Sequence, residues 1–205
     1  LAQSLIQCGF SPSEDLESAD LILINTCTVR AKPQQKAYSL MGRLGHLKSQ
    51  NPALILGAVG CLAQQEGADL MKRFPQLDLV AGPRELGRIQ EIIRRIDAGR
   101  EKVVATDLDA GPRDPVECPQ GYLNGRISGY ISVIEGCNNF CSYCVVPYVR
   151  GREVSRSPHE VLLEAKRLIS EGIKEITLLG QNVNSYSWEE AGKKWGFPSL
   201  LYKLS

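Results

Sequence analysis

The chain has 205 residues, of which 43% are hydrophobic and 23% charged, the balance of an ordinary globular protein. The formal net charge of +1 neither requires nor excludes a nucleic-acid partner, because binding depends on local charge. The sequence contains no apolar run of about 18 residues and shows no export signal. We therefore expect a protein without a membrane span.

The chain contains seven cysteines, which are Cys8, Cys27, Cys61, Cys118, Cys137, Cys141 and Cys144. An odd number of cysteines without an export signal argues against a disulfide framework. A reducing cytosol would keep these thiols free to bind metal. The cysteines therefore predict a cytoplasmic metalloprotein.

The first half of the chain alternates short apolar segments with helical patterns. The predicted strands are 21–24, 53–59 and 77–80, and the predicted helices are 34–48, 68–74 and an amphipathic segment with isoleucines at 89, 92, 93 and 96. The second strand is expected to end in Gly60-Cys61. Strands separated by helices form βαβ units, so an α/β fold with a parallel sheet is expected.

The segment 106–125 is rich in proline and glycine and is predicted to link two domains. After it, strands are expected at 130–134 and 175–179. Ser157-Pro158 begins a predicted helix, with Ser157 as N-cap. Another helix is expected from Ser199 onward. The second half thus continues the β/α pattern.

Three cysteines lie together as Cys137-x-x-x-Cys141-x-x-Cys144, directly after the first predicted strand of the second half. Three thiolates can hold three irons of a cubane cluster, and no nearby fourth cysteine completes a ferredoxin-type set. One iron would stay open to a chelator such as the amino and carboxylate groups of S-adenosylmethionine (SAM). The spacing therefore predicts a 4Fe-4S cluster that cleaves SAM.

Other interpretations of this loop are a zinc site or three unrelated thiols. Structural zinc usually takes four ligands in paired knuckles, and that pairing is absent from the sequence. A non-catalytic iron–sulfur protein or a zinc-dependent RNA-binding module is the alternative class of function.

Cys27 and Cys61 each follow a predicted buried strand. A single cysteine there is more often a small buried residue. However, the ends of parallel strands meet at one edge of a sheet, so two cysteines at equivalent positions favour a second metal site. Two ligands do not hold a cubane cluster, and a third would come from Cys8, Cys118 or a segment before Leu1.

Polar residues are expected beside the cysteine loop. Gln181 and Asn182 follow the strand 175–179, and sites in parallel α/β folds form at the carboxyl ends of strands. We expect both to contact the cofactor. Arg150, which follows the cysteines, is a candidate for binding the SAM carboxylate or RNA phosphates, or it is part of a solvated basic loop.

Several segments together resemble the radical SAM methylthiotransferases, and the resemblance covers essentially the whole chain. They are Asn25-Thr26-Cys27-Thr28, Gly60-Cys61-Leu62-Ala63-Gln64-Gln65-Glu66-Gly67, the three-cysteine segment from Glu135 to Cys144, Val149-Arg150-Gly151-Arg152 and Leu179-Gly180-Gln181-Asn182. The resemblance implies an N-terminal methylthiotransferase domain over 1–105 without its first strand and a linker over 106–125. It further implies the truncated start of a radical SAM β/α partial barrel over 126–205, so a fragment lacking both ends is expected.

The resemblance also implies two 4Fe-4S clusters and SAM as cofactors. Cys137, Cys141 and Cys144 would hold the SAM-cleaving cluster, while Cys27 and Cys61 match two of three ligands of an auxiliary cluster. Cys8 and Cys118 match no ligand of the family and are expected to be ordinary thiols.

The branch of the family that this chain resembles most acts on tRNA and adds a methylthio group to C2 of N6-dimethylallyladenosine beside the anticodon. A monomer that receives electrons from flavodoxin or ferredoxin is expected. The alternatives within the family are the branches that modify threonylcarbamoyladenosine in tRNA or a ribosomal protein.

Overall fold

The computed structural model describes residues 1–28, 31–99, 101–109 and 125–205. The chain divides into two compact units, Leu1–Val116 with Tyr148–Arg150 and Glu117–Pro147 with Gly151–Ser205. Most of the predicted linker, including Cys118, lies outside the described residues. Among the helices that the structure describes, none combines the length and apolarity needed to cross a membrane.

The first unit is built on a four-stranded parallel sheet, which confirms the predicted fold class. Its strands lie in the order β1 (Leu21–Thr26), β2 (Ile55–Gly60), β3 (Leu79–Ala81) and β4 (Val103–Ala105). The helices are α1 (Ala2–Gln7), α2 (Ala31–Gln50), α3 (Cys61–Glu66), α4 (Ala68–Arg73) and α5 (Ile89–Gly99). Strand β4 was not predicted.

Helices cover both faces of this sheet. Successive strand residues point to opposite faces, so Ile22 and Ile24 of β1 pack into a core that includes the buried side of α2. Leu21 and Leu23 pack against the other core, which contains the isoleucines of α5. Burial on both faces explains why the strands are apolar almost throughout rather than alternating.

The second unit contains three strand pairs. Strand β5 (Ser128–Ser132) is parallel to β8 (Glu175–Leu179), while β6 (Ile134–Glu135) is antiparallel to β7 (Val154–Ser155). A hairpin is formed by β9 (Ser187–Glu190) and β10 (Lys193–Gly196). The remaining helices are α6 (Val146–Arg150), α7 (Pro158–Ser170) and α8 (Phe197–Leu204).

Helix α7 begins as predicted. The Oγ of Ser157 accepts a hydrogen bond from the backbone N–H of Glu160 at 3.2 Å, and Pro158 is the first helical residue. Its residues Val161, Ala165 and Leu168 are buried in the core of the second unit. The N-cap signal in the sequence therefore located the start of this helix correctly.

The single strand predicted at 130–134 is divided in the structure. The N–H of Val133 donates to the carbonyl of Leu179 in the β8 strand, whereas its own carbonyl accepts from the N–H of Arg156, both at 2.9 Å. Val133 is therefore the point at which the chain leaves one strand partner for another. The sequence did not indicate this change, because residues 130–134 form one uninterrupted strand-like segment.

The β9–β10 hairpin was also not predicted. Its turn residues, Ala191 and Gly192, have φ values of 49° and 74°. Positive φ at both central residues is typical of a type I′ turn, and alanine is a poor signal for that conformation.

Candidate functional site

The cysteine loop, residues 136–153, is closed at its base by backbone pairing. Ile134 lies opposite Ser155 and Glu135 opposite Val154 in the β6–β7 pair. Beyond this pair, the N–H of Cys137 donates to the carbonyl of Gly151 at 3.3 Å. The loop therefore leaves the body of the second unit at a fixed position.

Gly136 permits this closure. Its φ is +73°, and a Cβ built on it would lie 2.3 Å from the carbonyl oxygen of Arg152 and 2.5 Å from that of Gly151. No other residue fits without moving the backbone. Because Gly136 precedes Cys137, this close approach sets where the first cysteine of the loop enters the unit.

Two side chains outside the cysteine loop, those of Tyr186 and Arg156, form hydrogen bonds near the base of the loop. The hydroxyl of Tyr186 donates to the carbonyl of Arg156 at 2.8 Å. Burial raises the pKa of Tyr186 to about 12, so the hydroxyl remains a protonated donor at neutral pH. The guanidinium of Arg156 donates to the Ser132 carbonyl at 2.9 Å and to Glu164 at 2.7 Å. Arg156 therefore ties α7 to β5.

The three loop cysteines differ in exposure. Cys137 is buried, Cys144 is half-buried and Cys141 is exposed, and all three are free thiols. The N–H of Cys144 donates to the carbonyl of Cys141 at 2.9 Å, which forms a tight turn between them. The loop thus presents one sheltered thiol and two more accessible ones.

The donor chemistry of the loop is that of three free cysteines with no carboxylate between them. Thiolates are ligands that iron–sulfur clusters accept, and a cubane cluster binds each thiolate through a separate iron. Within the described part of the chain, no three histidine, cysteine, aspartate or glutamate residues are arranged as a set that could hold a single metal ion.

The structure brings Cys27 and Cys61 to the same edge of the first unit's sheet. Thr26 and Gly60 are register partners and the last residues of β1 and β2. The two cysteines are the next residues of their segments, with Cys27 exposed and Cys61 buried. Parallel pairing therefore places both residues at the same end of the sheet.

One local expectation at this edge was wrong. The second strand was predicted to end in Gly60-Cys61, but Cys61 is the first residue of helix α3. The residues from Leu62 to Glu66 are mostly good helix formers. This six-residue helix was not predicted, because its first residue was assigned to the end of the preceding strand.

The turn from β2 into α3 depends on Gly60. Its φ is +103°, and a Cβ there would lie 2.4 Å from the carbonyl oxygen of Thr26. The two strand ends approach each other this closely only because Gly60 has no side chain.

The buried hydroxyl of Thr26 connects the three elements around these cysteines. It donates to the carbonyl of Val59 at 2.7 Å and accepts from the N–H of Ala63 in α3 at 3.4 Å. Thr26 is only 5% exposed, so water does not replace these bonds. Sequence reasoning did not single out this residue, although it lies within the Asn25-Thr26-Cys27-Thr28 segment.

We expect Thr26→Val to lower the free energy of unfolding by about 1–3 kcal/mol, because a buried carbonyl and a buried N–H lose their partner. Urea unfolding of the metal-free protein measures the change. Thr28→Val is the matched control, since the Thr28 hydroxyl is buried and bonds to no group among the described residues. Equal destabilisation by the two substitutions would contradict the role given to Thr26.

Gln181 and Asn182 follow β8, next to the start of the cysteine loop. A Cβ on Gly180 would lie 2.1 Å from the side chain of Ile134, so the end of β8 packs directly on β6. Gln181 is exposed and Asn182 half-buried. The Oγ of Ser185 lies 2.7 Å from the Asn182 carbonyl and 2.6 Å from a Glu153 carboxylate oxygen. This link between the segment after β8 and the loop was not predicted, because isolated serine and glutamate residues carry no such signal.

Arg150 is the last residue of α6 and is half-buried. It falls in the first unit, whereas the three loop cysteines fall in the second. The cofactor-binding role given to Arg150 stays a prediction, as do those of Gln181 and Asn182 and the ligand roles of the five cysteines.

Comparison with known families matches each half of the chain separately. Residues 1–82 match the uncharacterized protein family UPF0004, and residues 131–194 match the radical SAM superfamily. The first match contains Cys27 and Cys61, and the second contains the cysteine loop and the residues after β8.

Curated relatives match almost the whole chain. A tRNA-2-methylthio-N(6)-dimethylallyladenosine synthase of Syntrophus aciditrophicus is 43% identical over 100% of this chain and 44% of its own length. Synthases of the same name from Desulfosudis oleivorans and Geobacter sulfurreducens are 47% and 43% identical over 92% and 96% of this chain. The chain thus spans less than half the length of these relatives.

A solved structure supports the fold. The radical SAM methyltransferase TsrM of Kitasatospora setae, solved with tryptophan and a SAM analogue, has a TM-score of 0.54 at 17% identity, covering 89% of this chain and 39% of that protein. The likeness to TsrM concerns the fold alone. By sequence, the chain carries a UPF0004 match followed by a radical SAM match, and the relatives that resemble both parts together are tRNA methylthiotransferases.

Proposed function

We propose that the protein is a tRNA methylthiotransferase that adds a methylthio group to C2 of N6-dimethylallyladenosine beside the anticodon. The observation that carries this proposal is the presence of two separate cysteine sets. Cys27 and Cys61 lie at the end of the parallel sheet, and the three cysteines of the other set lie in the cysteine loop, whose base is closed by the β6–β7 pair. The name shared by the relatives supports the choice of product.

Membership of the radical SAM superfamily implies SAM and one 4Fe-4S cluster. When bound, such a cluster supplies the electron that cleaves SAM reductively. Cys137, Cys141 and Cys144 would each bind one of its irons. The β6–β7 pair and Gly136 fix the base of the cysteine-bearing segment.

Cys27 and Cys61 would contribute to a second 4Fe-4S cluster, which is part of the proposal. This role rests on position, since both residues follow strand ends at the same edge of the sheet and the Thr26 hydroxyl bridges the turn from β2 into α3 that carries Cys61. The C2–H of adenine has no usable acidity, so a general base cannot activate it and the radical from SAM would have to remove the hydrogen as an atom. The cluster at Cys27 and Cys61 would supply the sulfur.

Other residues would bind and orient the small molecules. Gln181 and Asn182 would contact SAM from the segment after β8. Arg150 would neutralise the SAM carboxylate or an RNA phosphate, as a guanidinium suits both anions. The proposed domains are a methylthiotransferase domain over 1–105, a linker over 106–125 and the start of a radical SAM domain over 126–205.

The proposal includes a tRNA substrate and a flavodoxin or ferredoxin as electron donor. The protein would act as a monomer in the cytoplasm, where reduced iron–sulfur proteins and tRNA are both present.

Mass spectrometry of tRNA nucleosides tests the activity. We expect deletion of the gene to remove 2-methylthio-N6-dimethylallyladenosine and to leave N6-dimethylallyladenosine in its place. Complementation with the wild-type gene should restore the methylthio nucleoside, whereas complementation with a Cys141→Ala gene should not. Selective loss of the methylthio form of threonylcarbamoyladenosine would instead assign the protein to the other tRNA branch.

A further inference from the structure

Helix α2 carries an unusual distribution of charge. Its twenty residues include Lys32, Lys36, Arg43 and Lys48 but no aspartate or glutamate. Lys48 is used by the fold, because its ammonium donates to the Leu54 carbonyl and pairs with Asp78 at 2.8 Å. The other three cations are exposed. They are called the α2 basic stripe.

The stripe is narrow and continuous. At about 100° per residue its three cations fall within an arc of roughly 40°, and at 1.5 Å per residue they span about 17 Å of the helix. The buried residues of α2, Ala37 and Met41 among them, lie on a different side and pack into the core. The stripe is therefore a solvent-facing row rather than a by-product of packing.

Neighbouring groups do not neutralise the stripe. None of the ion pairs found among the described residues involves Lys32, Lys36 or Arg43. The other long helices mix their charges, since α5 has Glu91 and Asp97 beside its arginines and α7 has Glu160 and Glu164 beside its cations. Lys32 and Lys36 are also four residues apart, a spacing at which like charges destabilise a helix.

The position of the stripe relates it to the cysteines of the first unit. Helix α2 follows β1, so its N-terminal end lies at the sheet edge that carries Cys27 and Cys61. The first turn of α2 contains no acidic residue, and the helix dipole adds positive potential there. A polyanion along the stripe would thus run toward the cysteine-bearing edge.

We infer that the α2 basic stripe binds backbone phosphates of the RNA substrate. This inference rests on the proposed function, which supplies RNA as the polyanion. The stripe is a row of exposed cations without competing carboxylates, which is what sequence-independent binding of a phosphate backbone requires. It would orient the RNA while other parts of the protein recognise the base to be modified.

The test is the salt dependence of RNA binding by the triple variant K32Q/K36Q/R43Q, with an anticodon stem-loop RNA that carries N6-dimethylallyladenosine as the probe. Each lost phosphate contact lowers the slope of log Kd against log salt concentration by about 0.7 to 0.9. We expect the slope to fall by about 2 to 3. Affinity should then be at least about 100-fold weaker at 0.1 M salt and similar to the wild type at 1 M salt.

The matched control is R94Q/K166Q/K174Q, which removes three exposed cations from other elements and gives the same net charge. We expect this control to keep the wild-type slope. An unchanged slope in the stripe variant, or an equal loss in the control, overturns the inference. Urea unfolding midpoints equal to the wild type show that the variants are folded.

RNA binding by the stripe variant and restoration of the methylthio nucleoside test the inference and the proposed function separately. A stripe variant that binds RNA normally, from a gene that restores the methylthio nucleoside, overturns only the inference. A gene that does not restore the nucleoside overturns the proposed activity, even where the stripe variant has lost its salt-dependent RNA binding.

Discussion

Replacing Cys141 with alanine is expected to abolish the release of 5′-deoxyadenosine from SAM by the iron-loaded, reduced protein. Cys141 is one of only three thiols in the cysteine loop, and the loop contains no carboxylate among its cysteines to replace it. A cluster that loses one of three protein ligands is held by two, which is too few to retain it. Chromatographic measurement of 5′-deoxyadenosine after anaerobic reconstitution gives the result.

Because Cys141 is exposed, its replacement should affect cluster binding without affecting the stability of the fold. An exposed side chain contributes little to packing, so the free energy of unfolding should change by no more than about 0.5 kcal/mol. Cys8→Ala is the control, because Cys8 is a half-buried thiol at the end of α1. We expect it to retain SAM cleavage. Normal 5′-deoxyadenosine output from Cys141→Ala would refute the assignment of the loop.

In a protein in which a third ligand completes this set, the double substitution Cys27→Ser and Cys61→Ser is expected to remove about four irons per chain, which is one cubane cluster, without stopping SAM cleavage. The reason is that these thiols belong to the first unit, whereas the loop cysteines belong to the second. Iron and sulfide analysis of the reconstituted protein measures the loss. The 5′-deoxyadenosine assay on the same sample shows that the loop cluster remains.

Folding must be controlled in this experiment, because Cys61 is only 4% exposed. A serine hydroxyl placed there without a partner costs about 1–3 kcal/mol. Iron content is therefore compared with that of Cys8→Ser/Cys118→Ser, which removes the two cysteines that match no ligand of the family. If the Cys27→Ser/Cys61→Ser variant retains the iron content of the unsubstituted protein, Cys27 and Cys61 do not hold a cluster.

Together these substitutions separate two functions within one chain. Loss of Cys141 should stop SAM cleavage, and with it every later step. Loss of Cys27 and Cys61 should leave SAM cleavage intact while methylthio transfer fails. Such a separation is what a sulfur-inserting radical enzyme requires, and an electron carrier or a zinc module would not show it.

Several features of the fold could be read from local sequence. The strand at 21–24 was recognised because a buried parallel strand is apolar throughout. The strand at 175–179 was recognised as a short, mostly apolar run, although its side chains are exposed or half-buried. The start of α7 was recognised because Ser157 and Pro158 form an N-cap signal. Strand β4 and helix α3 were not predicted, and their stability comes from the sheet they join rather than from their own sequence.

The sequence by itself determined the chemistry that is available to this protein. The spacing of Cys137, Cys141 and Cys144 and the positions of Cys27 and Cys61 after two strands are properties of the chain order. Thiol chemistry depends on residue type, so these candidates could be named without coordinates.

Only the tertiary structure decided how those residues are held and what surrounds them. The Thr26 hydroxyl links β1, β2 and α3 because parallel pairing places Thr26 beside Gly60. Gly136 is required because backbone carbonyls from the far end of the loop lie where a side chain would be. The α2 basic stripe is a surface only once the helix buries its other side. These relationships join residues far apart in the chain, and hydrogen bonds, steric contact and burial across such distances leave no local pattern in a sequence.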